Sequence, residues 1–318
     1  LDRTFNYNNK RAKELLDLFR QYPDICFHLE IHPALLSEEL KQELSVLPKG
    51  LLHLEAGIQS LKESVLQQSH RIGKLSDALE GLKYLCSLKN METHADLIAG
   101  LPLYHLSEIF EDVRTLAEYG AGEIQLESLK LLPGTEMRRR AEELGIQYAP
   151  LPPYEVLQTR EISVDELQTA RVLSRLLDGF YNTPTWQNIT RTLMLENEHF
   201  LHHFLDHLMQ IGLIDQPLSL EKRGLILYEF CKQNYPAYQT QVSIAWIEAG
   251  MSLKKLPAEK VKTKRQIPPE TWITIYGKYK ETLRLCFLPA NQEGQAGYWF
   301  GFESEIQKAE PVFKALTM

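Results

Sequence analysis

The sequence lacks the short glycine motifs by which many α/β proteins hold nucleotide phosphates. It contains neither a Gly-x-Gly-x-x-Gly turn nor a phosphate loop of the Gly-x-x-x-x-Gly-Lys-Ser/Thr type, so a nicotinamide-binding Rossmann domain has no support. No apolar run reaches the roughly eighteen residues of a membrane-spanning helix. The net charge of −7 also argues against a basic nucleic-acid-binding surface over the whole chain.

Cysteine is scarce and scattered along the chain. The four cysteines (Cys26, Cys86, Cys231 and Cys286) are separated by tens of residues, and three of them lie in apolar runs. A disulfide framework or a thiolate metal site requires closer spacing. The pattern predicts buried free thiols and a cytoplasmic protein.

The first half of the chain alternates apolar strand patterns with amphipathic helix patterns. At its centre, strand patterns at 51–60 and 93–102 flank a helix pattern at 76–89, which is a βαβ unit. Further strands are predicted at 25–33 and 123–132, and further helices at 9–22, 37–47, 105–119 and 136–144.

This alternation predicts an α/β fold with a parallel sheet of about five strands. Because a complete (β/α) barrel takes about 250 residues, residues 1–150 are predicted to form a partial parallel barrel that lacks its first strand or strands. An open doubly wound sheet remains the alternative.

The alternation stops after the proline-rich segment 149–153, which is the best candidate for a linker. Residues 151–250 are predicted to be helical, with helices over 163–181, 190–211 and 224–234. Residues 251–318 are predicted to form a small antiparallel α+β domain with strands at 271–279, 282–289 and 297–304.

Four polar residues lie at or just after the predicted carboxyl ends of the first strands: Glu30, Gln59, Arg71 and Asp96. In parallel sheets these ends surround the ligand crevice. An amide, a guanidinium and two acids suit a ligand with an α-amino acid group and a ribose, since arginine binds carboxylates bidentately. Any one of the four could instead belong to a structural network.

Two glycines agree with a binding site at this edge. Gly57 and Gly100 occur at the ends of apolar strand patterns. A glycine there lets the backbone approach a ring or a phosphate.

The ordered set Glu-x-x-Pro, Gly-Ile-Gln-Ser, Ser-His-Arg-Ile-Gly and Asp-Leu-Ile-Ala-Gly-Leu-Pro resembles the radical S-adenosylmethionine enzymes. The branch it resembles contains the oxygen-independent coproporphyrinogen oxidases and the cobalamin-dependent oxidative-cyclase type. The first residues, Leu-Asp-Arg-Thr-Phe, look like the segment after the second barrel strand in the cobalamin-dependent members. The resemblance covers residues 1 to about 185.

The resemblance implies a role for each matching residue. Arg71 would bind the methionine carboxylate of S-adenosylmethionine, and Gln59 and Asp96 would contact its ribose. Glu30 would lie beside the methionine amino group or the ribose. The remaining implied contacts are Asp2 near the amino group and the backbone of Gly100 near adenine.

The sequence departs from this family at the iron–sulfur motif. The CxxxCxxC that ligates a [4Fe–4S] cluster is absent, and we expect it upstream of Leu1 in a longer parent protein. The chain is then a fragment that is inactive alone and contains no catalytic residue. The parent would cleave S-adenosylmethionine with an electron from its cluster, act on an unknown substrate as an oxidoreductase or methyltransferase, and use flavodoxin or ferredoxin as electron donor, with cobalamin as an optional cofactor.

A non-catalytic function is the alternative, in which an α/β scaffold carries a C-terminal module that binds protein or nucleic acid. Histidines at 199, 203 and 207 share one predicted helix face. We interpret them as a polar helix face and predict no metal site, because a zinc site needs a further ligand and an oriented second shell.

Overall fold

A computed structural model gives the fold for residues 4–71, 73–213, 216–252 and 254–258, together with the backbone of 283–288, 298–303 and 316–317. The chain divides into two compact units. The first consists of Leu1–Asn182 and Leu193–Leu205, and the second of Thr183–Thr192 and Asp206–Met318. The division into domains at residues 150 and 250 stays a prediction.

The first unit contains a four-stranded parallel sheet, which confirms the predicted α/β class. The strands follow one another in space as they do in sequence, β1-β2-β3-β4. Their bounds are β1 Phe27–Ile31, β2 Leu52–Gln59, β3 Glu92–Ala99 and β4 Glu123–Ser128. Each strand therefore pairs with the next after a helical crossover.

Seven α-helices lie wholly within the described part of the first unit. They are α1 Asn9–Phe19, α2 Glu38–Ser45, α3 Glu63–Gln68, α4 Leu75–Ser87, α5 Leu106–Tyr119, α6 Glu136–Arg139 and α7 Val164–Leu176. The side chain of Ser163 caps α7 and forms a capping box with Glu166, which explains why the helix begins at Val164. The helix predicted over 163–181 ends as a π-helical turn at Leu177–Tyr181, and the one predicted over 136–144 is a single turn.

The proline-rich segment folds back onto the sheet. The short strands β5 Gln147–Tyr148 and β6 Val156–Gln158 pair antiparallel. The Val156 N–H donates to the Leu129 carbonyl at 2.9 Å, and the Leu131 N–H donates to the Tyr154 carbonyl at 2.8 Å. The segment 149–153 therefore forms the turn of a hairpin held against the chain that follows β4.

The core of the first unit lies against one face of the sheet. Leu54, Ala95, Leu97 and Ile124 are completely buried, and alternation along the strands places them on the same face. Helices α4, α5 and α7 contact β3 and β4. The side chains between these core residues point to the opposite face.

The second unit is helical where its side chains are described. Its helices include α10 Leu220–Asn234 and α11 Gln239–Glu248, while α8 Pro184–Glu196 and α9 Phe200–Gln210 have residues in both units. The helix predicted over 190–211 is therefore two helices. Within the residues given above, no helix has the length and apolar character needed to cross a membrane.

Three short strands follow near the carboxyl terminus. These are β7 Leu283–Leu288, β8 Tyr298–Glu303 and β9 Leu316–Thr317, paired antiparallel in that order. The strand predicted at 271–279 lies outside the described residues.

None of the three cysteines with described side chains is disulfide-bonded. Cys231 is buried as predicted, but Cys86 is half-buried and Cys26 is exposed. Cys26 directly precedes β1.

Candidate functional site

The second face of the sheet is polar across all four strands. Its side chains are half-buried or exposed, except for that of His94, which is buried. Since paired residues of neighbouring strands point to the same face, the register identifies the polar members: His28, Glu30, His53, Glu55, Glu92, His94, Asp96, Glu123, Gln125 and Glu127. Gly57 and the apolar Ile98 share this face. A parallel sheet with one charged face differs from the doubly wound type, in which apolar residues cover both faces.

Gly57 is the point at which the side chains of Gln59 and Arg71 meet. A Cβ atom at Gly57 would lie 2.7 Å from Gln59 Nε2 and 3.3 Å from Arg71 Nη2. Arg71 Nη2 donates to the Gly57 carbonyl. The absent side chain at Gly57 therefore leaves the space that the amide and the guanidinium occupy.

Asp96 lies opposite Gly57 in the register of β2 and β3. Burial raises the pKa of Asp96 to about 7, and the carboxylate of Glu55 adds to the shift through repulsion and a shared hydrogen bond. Glu30 and Glu127 raise this pKa further. Four carboxyl groups therefore gather on this part of the face.

Arg71 is the cation among these acids. It follows α3 in a turn, and its N–H donates to the Leu66 carbonyl at 2.9 Å. Burial lowers the pKa of the Arg71 guanidinium, and the attraction of Asp96 opposes that shift. The guanidinium is thus partly desolvated and close to Asp96, which suits a group that binds a ligand carboxylate.

Two oxygen atoms on the face have no hydrogen-bond partner among the described residues. Gln59 Oε1 and Asp96 Oδ1 are both buried and unpaired. Gln59 also has a φ of +67° beside a register shift between β2 and β3. Unpaired buried oxygens and a strained backbone both cost free energy, and both concentrate at functional sites.

The structure thus brings together Gln59, Arg71 and Asp96, with Glu30 close enough to act on the Asp96 carboxyl. Gly100 directly follows β3. Its φ is +91°, and a Cβ there would contact Val156 and Leu129, so the surroundings on that side are apolar protein atoms. Asp2 lies outside the described residues.

The sequence interpretation missed part of this face. A histidine occurs two residues before an acid on three successive strands, as His-Leu-Glu at 28–30, His-Leu-Glu at 53–55 and His-Ala-Asp at 94–96. That repeat, with a period of two, was the signal that could have identified Glu55 and the three histidines as members of one polar face.

Comparison with known proteins assigns the chain to a family. The family profile described as "Protein of unknown function (DUF4080)" matches residues 142–315, more than half of the chain. The chain belongs to this DUF4080 family. The matched segment begins after β4, so the candidate site residues precede it.

Three solved structures similar to this DUF4080 chain are radical S-adenosylmethionine enzymes. Two are of the methyltransferase TsrM from Kitasatospora setae, one with tryptophan substrate and a SAM analog bound and the other with cobalamin and a [4Fe-4S] cluster bound. Their identities are 13% and 16%, and the matches cover 66% and 73% of this chain, with a TM-score of 0.41 for each. The chain spans 51% of the length of each methyltransferase chain.

The third structure is coproporphyrinogen III oxidase (HemN) from Escherichia coli, with 12% identity, a TM-score of 0.34 and coverage of 71% of this chain and 74% of that chain. The curated proteins contain no match. The TM-scores of these three structures are below 0.5, so the likeness does not extend to the ligand or the activity.

Proposed function

We propose that the polar face at the carboxyl ends of β1, β2 and β3 binds S-adenosylmethionine, as part of a radical S-adenosylmethionine enzyme. The observation that carries this proposal is the meeting of Gln59, Arg71 and Asp96 around Gly57. These groups offer an amide, a guanidinium and a carboxyl at the crevice end of parallel strands, where ligands of α/β proteins bind.

The charges of the face suit this ligand. S-adenosylmethionine carries a sulfonium and an amino group, both positive, and one carboxylate. Glu30, Glu55 and Asp96 provide the negative charge around it, and their mutual repulsion, visible in the raised pKa of Asp96, would fall on binding a cation. Arg71 is the counterpart for the single carboxylate.

The unpaired oxygen atoms suggest which part of the ligand each residue would contact. Gln59 Oε1 and Asp96 Oδ1, which lack hydrogen-bond partners among the described residues, would accept from ribose hydroxyls, and Glu30 would accept from the amino group. Gly57 keeps the space between Gln59 and Arg71 open. When bound, S-adenosylmethionine supplies a sulfonium centre that one-electron reduction can cleave.

The residues of this chain do not fit a [4Fe–4S] cluster, since its four cysteines are tens of residues apart. The cluster, its electron donor and cobalamin therefore belong to the proposal for a whole enzyme, and no step on this chain is assigned to them. The oxidoreductase or methyltransferase reaction and its substrate likewise belong to the proposal for a whole enzyme.

The proposal also covers how the chain is divided into a barrel section, a helical region and a small carboxyl-terminal domain. We infer that residues 1–150 are a section of a (β/α) barrel whose interior is the polar face, because a closed barrel would enclose the charged side chains that the present sheet leaves open. Residues 151–250 would follow as a helical region, and 251–318 as a small antiparallel domain that contains β7, β8 and β9.

Equilibrium dialysis of the 318-residue chain with labelled S-adenosylmethionine tests the proposal. Replacing Arg71 by methionine removes the carboxylate ligand, and a charge-assisted hydrogen bond of about 1.5–3 kcal/mol corresponds to a loss of affinity of about 10-fold or more. Arg20→Met is the matched control, because Arg20 pairs with Asp17 and Glu43 at the end of α1.

Equal affinities of the two variants would contradict the assignment of Arg71. Absence of binding by the unsubstituted chain would favour the alternative, a non-catalytic scaffold with a protein- or nucleic-acid-binding module.

A further inference from the structure

Three histidines occupy the amino-terminal part of the polar face, on three neighbouring strands. His28 on β1 pairs in register with His53 on β2. His94 on β3 pairs with Glu55, two residues after His53, so its side chain lies on the same face one step further along. The sheet thus presents three imidazoles from residues distant in sequence at one place.

The imidazoles are close enough to share one ion. One ring nitrogen from each lies within 4.8 Å of those of the other two. The ring centroids are 4.7 Å apart for His28 and His53, and 5.2 Å apart for His53 and His94. Zinc–imidazole bonds of about 2.0–2.1 Å place tetrahedral ligand nitrogens about 3.3 Å apart, so the rings have to move closer together when an ion binds.

Each histidine also has a carboxylate beside one ring nitrogen, supplied by the next strand of the sheet. A carboxylate in that position orients a metal-bound imidazole and makes it a better ligand. The pairs are His28 Nε2 with Glu55 Oε2 at 3.0 Å, His53 Nδ1 with Glu92 Oε2 at 3.8 Å, and His94 Nε2 with Glu123 Oε2 at 2.7 Å.

Three buried ring nitrogens of His53 and His94 make no hydrogen bond with the described residues. His94 is only 5% exposed, and neither of its ring nitrogens has a hydrogen-bond partner among the described residues, although Nε2 lies near Glu123. His53 Nε2 is also buried without such a partner among them. An unpaired nitrogen in a buried side chain costs free energy that a bound ion would recover.

We propose that His28, His53 and His94 form a binding site for one divalent transition-metal ion of the zinc type, with Glu55, Glu92 and Glu123 as the carboxylates that orient the three rings. Imidazole nitrogens suit Zn²⁺, Co²⁺ and Ni²⁺ better than Mg²⁺ or Ca²⁺, which prefer oxygen ligands. Three protein ligands leave a fourth position open, as in zinc sites that bind water or a substrate atom. The three histidines are not among the proposed S-adenosylmethionine contacts, although Glu55 contributes to both places: it lies beside His28 and acts on the Asp96 carboxyl.

Titration of the chelator-treated 318-residue chain with Co²⁺ tests this proposal. We expect one equivalent of Co²⁺ to bind, with the visible absorption of a four-coordinate nitrogen-ligated ion, and Zn²⁺ to displace it. His28→Gln is the informative variant, because the His28 side chain is 54% exposed and its loss leaves the core intact. His203→Gln, on α9 outside the group, is the matched control.

The expected result is that His28→Gln weakens metal binding at least tenfold while His203→Gln leaves it unchanged. Glu55→Gln should weaken binding by about 10–100-fold through the orientation of His28. Absence of the visible absorption in the unsubstituted chain would overturn the proposal. Equal affinities of the His28 and His203 variants would also overturn it, because the ion would then be bound elsewhere.

Discussion

At the scale of single residues, the candidate site depends on a missing side chain. Gly57 lies near the carboxyl end of β2, where a larger residue would extend the polar face. The atoms that approach it are the side-chain ends of Gln59 and Arg71 rather than backbone atoms. Substitution there should consequently disturb the two ligand-binding groups more than the fold.

Gly57→Ala should lower the affinity for S-adenosylmethionine while leaving the melting temperature nearly unchanged. The added methyl group would lie 2.7 Å from Gln59 Nε2, so the amide and the guanidinium have to move apart. Dialysis and thermal melting measure the two effects. Gly134→Ala is the control with the opposite signature, since its φ of +84° penalises alanine although no atom lies within 4 Å; unchanged affinity of Gly57→Ala would contradict the site.

At the scale of elements, the buried carboxylate of Asp112 on α5 forms hydrogen bonds with the loops that follow β2 and β3. Asp112 Oδ2 accepts from the Tyr104 hydroxyl at 2.6 Å and from the Leu61 N–H at 2.7 Å, and the Ser60 hydroxyl lies 3.3 Å away. Ser60 and Leu61 directly follow Gln59, and Tyr104 lies in the loop after β3. The network therefore holds the ends of β2 and β3 in place.

Tyr104→Phe should destabilise the first unit by about 1–3 kcal/mol, because it removes a donor from a buried carboxylate. Urea unfolding measures this loss. Tyr84→Phe is a matched control, since the Tyr84 hydroxyl donates to a backbone carbonyl, that of Lys41, in a half-buried position, and the net loss there should be about 0.5–1.5 kcal/mol. A larger loss of unfolding free energy in Tyr84→Phe than in Tyr104→Phe would contradict the stabilising role of the Asp112 network.

Asp112 should also make stability depend on pH. Burial raises its pKa, and the hydrogen bonds from Tyr104 and Leu61 only partly oppose the shift. A carboxyl with a raised folded-state pKa binds more protons folded than unfolded, so its contribution is present below the unfolded pKa of about 3.9 and is lost as the pH rises through the folded pKa. Melting temperatures across that range should fall less in Asp112→Asn than in the unsubstituted chain, and parallel curves would contradict this.

At the scale of the whole molecule, the described sheet has one packed face and one charged face. Leu54 and Glu55 are neighbours on β2, yet Leu54 is completely buried and the Glu55 side chain is 33% exposed. The first lies in the core, and the second lies on the face proposed to bind ligands. This asymmetry separates residues that stabilise the fold from residues that are proposed to bind ligands.

Leu54→Ala should cost about 2–5 kcal/mol of unfolding free energy, the usual price of a cavity at a fully packed leucine. Glu55→Ala should change it by less than about 1 kcal/mol, because a partly exposed ion pair contributes little and Asp96 gains relief from repulsion. Urea denaturation of both variants checks the contrast. Similar costs at the two positions would mean that both faces are packed.

The amino-acid sequence by itself determined the order of strands and helices, since hydrophobic periodicity and capping residues such as Ser163 act over a few neighbours. It also placed Gln59, Arg71 and Asp96 near the ends of strands, where their proximity could be predicted. It could not show that α6 is a single turn or that segment 149–153 closes a hairpin, because contacts with the chain beyond β4 decide both.

Only the tertiary structure decided which groups share the polar face. The pairing of His28 with His53 and the step to His94 follow from strand register, and the register is set by the burial of the opposite face, whose partners are far away in sequence. The same register brings Glu55 close to Asp96. Together with burial, the Glu55 carboxylate raises the pKa of Asp96. Side chains that are ordinary when each strand is considered alone acquire their chemistry only when the parallel strands bring them within a few ångströms of one another.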